Sequence, residues 1–164
     1  MSRILVTIPA RGARAWQQTI LDRLAVAGHE IGVELGGAEP RNPLLDIATV
    51  IERFTRRGSA GMLIAPAAIA ARELSEPPDL HIDLTGRHDE GLVLDLGGGL
   101  VALAARLARG EAPLVVMRQD GRVVGKAVPM LDVTVSIRRM LDAVLARAVR
   151  LTAATAQKTL RGSL

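Results

Sequence analysis

The chain has no cysteine and no tyrosine, a single tryptophan, a single phenylalanine and only two lysines, Lys126 and Lys158. Without cysteine there are no disulfides, no thiol catalysis and no zinc–thiolate centre. Trp16 and Phe54 are the whole aromatic set. A binder of single-stranded nucleic acid stacks bases on aromatic platforms, and this chain has none to offer. Nucleic acid is therefore not an expected partner. No apolar run approaches the roughly 20 residues that a membrane-spanning helix needs. The opening "MSRILVTIPARG" has too short an apolar part, and no small-residue cleavage site, for a signal peptide. The default expectation is a cytoplasmic protein with no membrane span.

What is present is a 164-residue chain, 49% hydrophobic, which suits one globular domain with a real core. The formal charge is +4, and the pI of 10.8 exaggerates it, because nothing titrates between histidine and lysine. Along the linear sequence the arginines are interspersed with acids.

Periodicity supplies the elements. "RILVTI", Arg3 to Ile8, reads as a buried strand. Ala13, Trp16, Ile20, Leu24 and Ala27 recur at helical spacing, with Arg14, Gln17, Gln18, Asp22 and Arg23 on the other side. Gly28 ends that helix and "EIGVEL" begins a second strand. Strand, helix and strand with short joints is the signature of a parallel α/β unit. A second amphipathic helix is expected from Leu44 through Phe54, and a brief strand in "GMLIAP". In "DLHIDLTG", Leu80, Ile82 and Leu84 face one way, while His81 and Asp83 face the other. "GLVLDL" is a further strand, and Leu100 to Leu107 form a helix closed by Gly110. Asp120-Gly121 joins "PLVVMRQ" to "RVVGKAV" as a tight hairpin. A long helix starts near Thr134 or Ser136. Beyond Thr152 the composition is small and polar, which predicts a flexible tail over 152–164. The expected architecture over 1–151 is a single Rossmann-like three-layer domain. Its sheet is mostly parallel, with an antiparallel hairpin in the C-terminal half and a long C-terminal helix.

In such a sheet, ligands bind beyond the carboxyl ends of the strands. Three loops fall there. "PARGAR" offers Arg11, Gly12 and Arg14 beside the amides of a helix start, a setting that attracts anions; the plainer reading is two solvated arginines. "TGRHDEG" holds Thr85, Gly86 and Arg87 beside His88, a candidate base with Asp89 or Glu90 as partner. A solvated surface turn is the simpler reading there. His81 and Asp83 share a side one strand back and could touch. "DLGGGL" offers Gly97, Gly98 and Gly99 for close backbone approach, with Asp95 as a base or sugar-hydroxyl acceptor; a plain turn fits equally. His88, Asp95 and Asp83 are thus the catalytic candidates. "GARAWQ" is not a dinucleotide fingerprint, so NAD is not expected and no cofactor is identified. The histidines, His29, His81 and His88, lack metal-ligand spacing, so no metal site is expected.

Taken together, "RILV" with "WQQTILDRLA", then "DLHIDLTG", "GLVLDL" and "LARGEAPLVVMRQDGRVVGKAV", resemble the formyltransferase-like Rossmann domain. The resemblance covers most of the chain. It implies an Asn-x-His strand where "GLVLDLGGG" stands, and that segment has neither residue. Formyltransferases use an Asn, a His and an Asp to activate an amine and hold an oxyanion; losing the donor removes the largest electrostatic contribution. What the resemblance implies is therefore a catalytically degenerate transferase-like domain. It would bind an anionic small molecule, such as a nucleotide sugar, or serve as a transferase subunit. The first quarter is also similar to the N-terminal domain of two-domain glycosyltransferases, which implies a half-enzyme with a partner chain. A non-catalytic homo-oligomeric scaffold is the third expectation.

Overall fold

The computed structural model describes residues 1–9, 13–36, 66–67, 73–87, 90–130, 132 and 134–162. In chain order the elements are β1 (Arg3–Ile8), β2 (Ala13–Arg14), α1 (Ala15–Val26) and β3 (Glu30–Leu35). There follow β4 (Pro66–Ala67), β5 (Leu80–Asp83), β6 (Leu92–Asp95), α2 (Gly99–Ala108), β7 (Val115–Gln119), β8 (Arg122–Ala127) and α3 (Ile137–Gly162). Six strands form one sheet in the order β3-β1-β5-β6-β7-β8, and β2 with β4 makes a separate two-stranded antiparallel pair. The first four strands of the large sheet run parallel, while β7 and β8 are antiparallel. This is the Rossmann-like α/β class expected from the sequence. The second helical layer expected over Leu44–Phe54, and the start of "GMLIAP", lie outside the described residues.

The period of two divides the sheet into unlike faces. Register places Val6 of β1 opposite Ile82 of β5, Ile82 opposite Leu92 of β6, and Leu94 opposite Met117 of β7, with Ile4 and Ile8 on the same face as Val6. These side chains are buried and belong to one apolar cluster. Trp16, Ile20 and Leu24 of α1, Leu103 and Leu107 of α2, and Leu141, Val144, Leu145 and Ala148 of α3 enter the same cluster. Each buried aliphatic side chain contributes about 1.5–3 kcal/mol of transfer free energy, so this one face dominates the stability of the domain. The other face carries Thr7, Glu34, His81, Asp83, Asp95 and Arg118. Val93 and Val116 are buried on that side but stand apart from the main cluster.

The long helix corrects the expected tail. α3 continues to Gly162, and Thr152, Thr155 and Ala156 are buried along it. Thr152 Oγ1 donates to Ala148 O at 2.9 Å, which satisfies its hydroxyl inside the helix and frees its methyl to pack. Gly125 of β8 lies under the same turns, where an added methyl would meet Thr155 Oγ1 at 3.0 Å. A glycine in the strand is what lets the last part of the helix dock.

The hairpin is as expected. Asp120 and Gly121 both hold positive φ, 49° and 77°, as a primed two-residue turn requires. At the amino end of the parallel strands, the Arg3 amide donates to Asp79 Oδ2 at 2.7 Å, and its guanidinium pairs with Glu76 and Asp79. The Arg3 amide is the main reason the Asp79 carboxyl sits below its ordinary range. Ser75 donates twice to Glu30 beside them, which holds the Glu30 carboxyl low in the same way. These bonds clamp the chain where it enters β5.

Candidate ligand-binding rim

The strand order reverses at β1. From β1 the chain crosses through α1 to β3 on one side, then returns to β5 on the other side of β1. The carboxyl ends of β1 and β5 therefore flank a topological switch point, where open α/β sheets form their ligand crevice.

Local chemistry gathers the loops there. Gln17 is buried near the start of α1; its Oε1 accepts the Arg14 amide at 2.8 Å and its Nε2 donates to Leu84 O at 3.4 Å. One amide side chain thus ties the beginning of α1 to the exit of β5. Gln17 was expected on the solvated side of the helix. Its place as third helical residue after the cap is a capping position, and that was the available signal. Gly36, just after β3, lies where an added methyl would stand 3.2 Å from Ile8 O and 3.3 Å from Thr85 Cγ2. Three strand exits meet within van der Waals contact.

Asp83 organises the loop after β5. It is fully buried, and its Oδ1 accepts from the Thr85 amide at 2.7 Å and the Thr85 hydroxyl at 2.6 Å. Its Oδ2 accepts from the Arg87 amide at 2.9 Å. Both oxygens are occupied in shaping a turn. This turn lets residues 84–91 alone return the chain to a parallel neighbour, where a dozen or more are usual. Gly91 completes it at φ 73°, with the place of its absent side chain 2.6 Å from His81 O. Arg87 emerges exposed beside Thr85 and Gly86.

Asp95 is likewise engaged. Its Oδ1 accepts from the Gly97 amide at 2.6 Å, and its Oδ2 lies 3.3 Å from Arg118 Nε. Gly97, Gly98 and Gly99 all take positive φ, and Arg106 reaches back from α2 to donate to Leu96 O at 2.6 Å. The space beside Gly97 is filled by that guanidinium, so the glycine run accommodates Arg106. His81 does not touch Asp83 through any described bond; its Nε2 lies 2.7 Å from Thr7 Oγ1, which is 3.3 Å from Glu34 Oε2. The line Glu34–Thr7–His81 crosses three adjacent strands.

The structure thus brings Arg14, Thr85, Gly86 and Arg87 to one rim, with Asp95 and Gly97–Gly99 at the exit of the next parallel strand. Arg11, Gly12, His88 and Asp89 lie outside the described residues. Among the described residues no group of histidines and acids is placed to hold a metal ion. No helix among them is long and apolar enough to cross a membrane.

The fold and rim define a Rossmann-like α/β domain. Comparison with protein-family models, with curated proteins and with solved structures finds no match for this chain.

Proposed function

We propose that this chain is a binding domain that takes an anionic small molecule, of the nucleotide-sugar kind, at the carboxyl ends of β1 and β5. In this reading it is a formyltransferase-like module without the catalytic machinery, acting alone or as the subunit of a transferase. The observation that carries the proposal is the switch point itself, with the exits of β1, β3 and β5 packed together around Thr85 and Gly36. The state of the acids supports binding over catalysis. Asp83 spends both oxygens on its own loop, and Asp95 divides its pair between Gly97 and Arg118. A general base must have a lone pair within reach of the substrate. Asp83 instead fixes backbone and Asp95 is shared between a backbone amide and the Arg118 guanidinium, and what the loops present to solvent is Arg87 and the glycine turn.

The test is a thermal-shift series with inorganic phosphate, UDP and UDP-glucose on the intact chain. Binding at 100 times the dissociation constant stabilises by about 2.7 kcal/mol, a shift of several degrees for a domain of this size. The expected result is a shift with at least one phosphate ester that is abolished by Arg87→Ala. No shift with any of them, or an undiminished shift in the variant, overturns the proposal.

A further inference from the structure

The last helix carries a charge distribution that the linear sequence hides. Within α3 there are six cations, Arg138, Arg139, Arg147, Arg150, Lys158 and Arg161, against a single acid, Asp142. The whole chain has 21 basic and 17 acidic residues, so this helix alone accounts for more than the entire positive excess. Arg138 and Asp142 are half-buried and lie four residues apart. Burial pushes the Asp142 carboxyl above its ordinary range, and Arg138 opposes that.

The other five are exposed and share one face. From Arg139 to Arg161 the exposed positions are Arg139, Ala143, Arg147, Arg150, Ala154, Gln157, Lys158 and Arg161. They follow the three-and-four spacing of a single helical stripe, and none is acidic. None of the five cations pairs with an acid among the described residues. A helix face that needs only to be wet mixes signs, because opposite charges at this spacing stabilise it while like charges cost it a few tenths of a kcal/mol each. Here Arg147 and Arg150 repeat as Lys158 and Arg161 eleven residues later, three turns on and again in register. The row is about 33 Å long at 1.5 Å per residue.

We propose that this stripe is a docking surface for the phosphate backbone of a nucleic-acid duplex, bound without sequence preference. Its length is close to one turn of duplex, about 34–36 Å. Four of its five cations are arginines, whose planar fork suits phosphate oxygens. Alanines between them leave the backbone room to approach. The chemistry points away from other polyanions. An amphipathic helix binds an anionic bilayer by sinking its apolar face, and here that face is buried in the domain core. A protein partner calls for aromatic or aliphatic anchors within the patch, and the stripe has none. Single strands call for stacking platforms, and Trp16 is buried.

The experiment is fluorescence anisotropy of the intact protein with a short mixed-sequence DNA duplex and its RNA counterpart, across a salt series. Five phosphate contacts give a log–log salt slope of about −4.5, so affinity falls about 500-fold between 50 and 200 mM salt. Arg147→Gln with Arg150→Gln removes two contacts and reduces the slope by about 1.8. Replacing all four stripe arginines by lysine leaves the slope in place. An equal loss of charge elsewhere, Arg23→Gln with Arg122→Gln, leaves it unchanged. Circular dichroism melts confirm that each variant folds. A slope shallower than −1 overturns the proposal, as does an equal effect of the two charge-matched pairs. Tighter binding to phosphatidylglycerol vesicles than to either duplex at the same salt assigns the stripe to membranes and overturns it as well.

Discussion

The two faces of the sheet are built from the same strands and differ in what they are made to do. One is a continuous apolar surface on which all three described helices converge. The other is a row of polar side chains in which each functional group is held by a neighbour: Thr7 by Glu34 and His81, Asp83 by the loop it shapes, Asp95 by Gly97 and Arg118. Non-directional burial stabilises the first face. The second follows hydrogen-bond geometry, where each bond is worth only about 0.5–1.5 kcal/mol net, yet an unmet partner costs more. The difference shows how the domain separates stability from site-building. The apolar face sets whether the chain folds, and the polar face sets where its loops end up.

That separation can be broken from either side. The largest effect belongs to the apolar face. Leu145→Ala empties a fully buried site between α3 and the sheet and costs about 2–5 kcal/mol in denaturant unfolding. The slope of the unfolding transition and the conformation of the rim stay unchanged. Next comes Asp83→Ala, which strands the Thr85 and Arg87 amides beside a buried site, at about 1–3 kcal/mol. Hydrogen exchange distinguishes the two. Leu145→Ala lowers protection across the core, whereas Asp83→Ala speeds exchange chiefly at Thr85 and Arg87. Asp83→Asn falls between wild type and alanine, because Oδ1 still accepts from Thr85 while the new amide faces the Arg87 N–H. If Asp83→Ala loosened the core as widely as Leu145→Ala, the two faces would not be separable.

The apolar face was largely legible in the sequence and the polar face was not. β1, β3 and the Asp120-Gly121 hairpin appear where alternation and turn chemistry place them, because both signals are local. The start of α1 is two residues later than its apolar spacing implies. Ala13 and Arg14 pair with Pro66 and Ala67, a partner more than fifty residues away that no local pattern reveals. Thr152 and Thr155 read as fraying polar residues, yet they pack, since a threonine that bonds its own helix offers a methyl. At the rim, the position of Asp83 and Asp95 at strand ends was readable, but their occupation by loop amides was not. A carboxylate that caps a turn and one that waits for substrate look alike until the loop around them is seen. The cationic row on α3 was hidden for a similar reason. Alternation with alanine and leucine disperses it in the chain, and only helical winding stacks it.

The smallest effect is also the most specific. The Thr7 hydroxyl has one proton. Donated to the Glu34 carboxylate, it leaves the oxygen to accept from a proton on His81 Nε2; donated to His81, it needs a bare Nε2. The polar face therefore couples the His81 tautomer to the Thr7 hydroxyl, and the charged acceptor Glu34 favours the Nε2–H form. Thr7→Val keeps the shape, removes both bonds and costs about 1 kcal/mol. Nitrogen chemical shifts of the His81 ring report the rest: the Nε2–H form in wild type, and movement toward a mixture in the variant. Glu34→Gln separates the links, because an amide oxygen in place of the carboxylate still accepts from Thr7 and preserves the tautomer. If instead Thr7→Val left the ring nitrogens where they were, the Thr7 bond would not set the state of His81, and the contrast between a packed face and a hydrogen-bonded one would fail at its central strand.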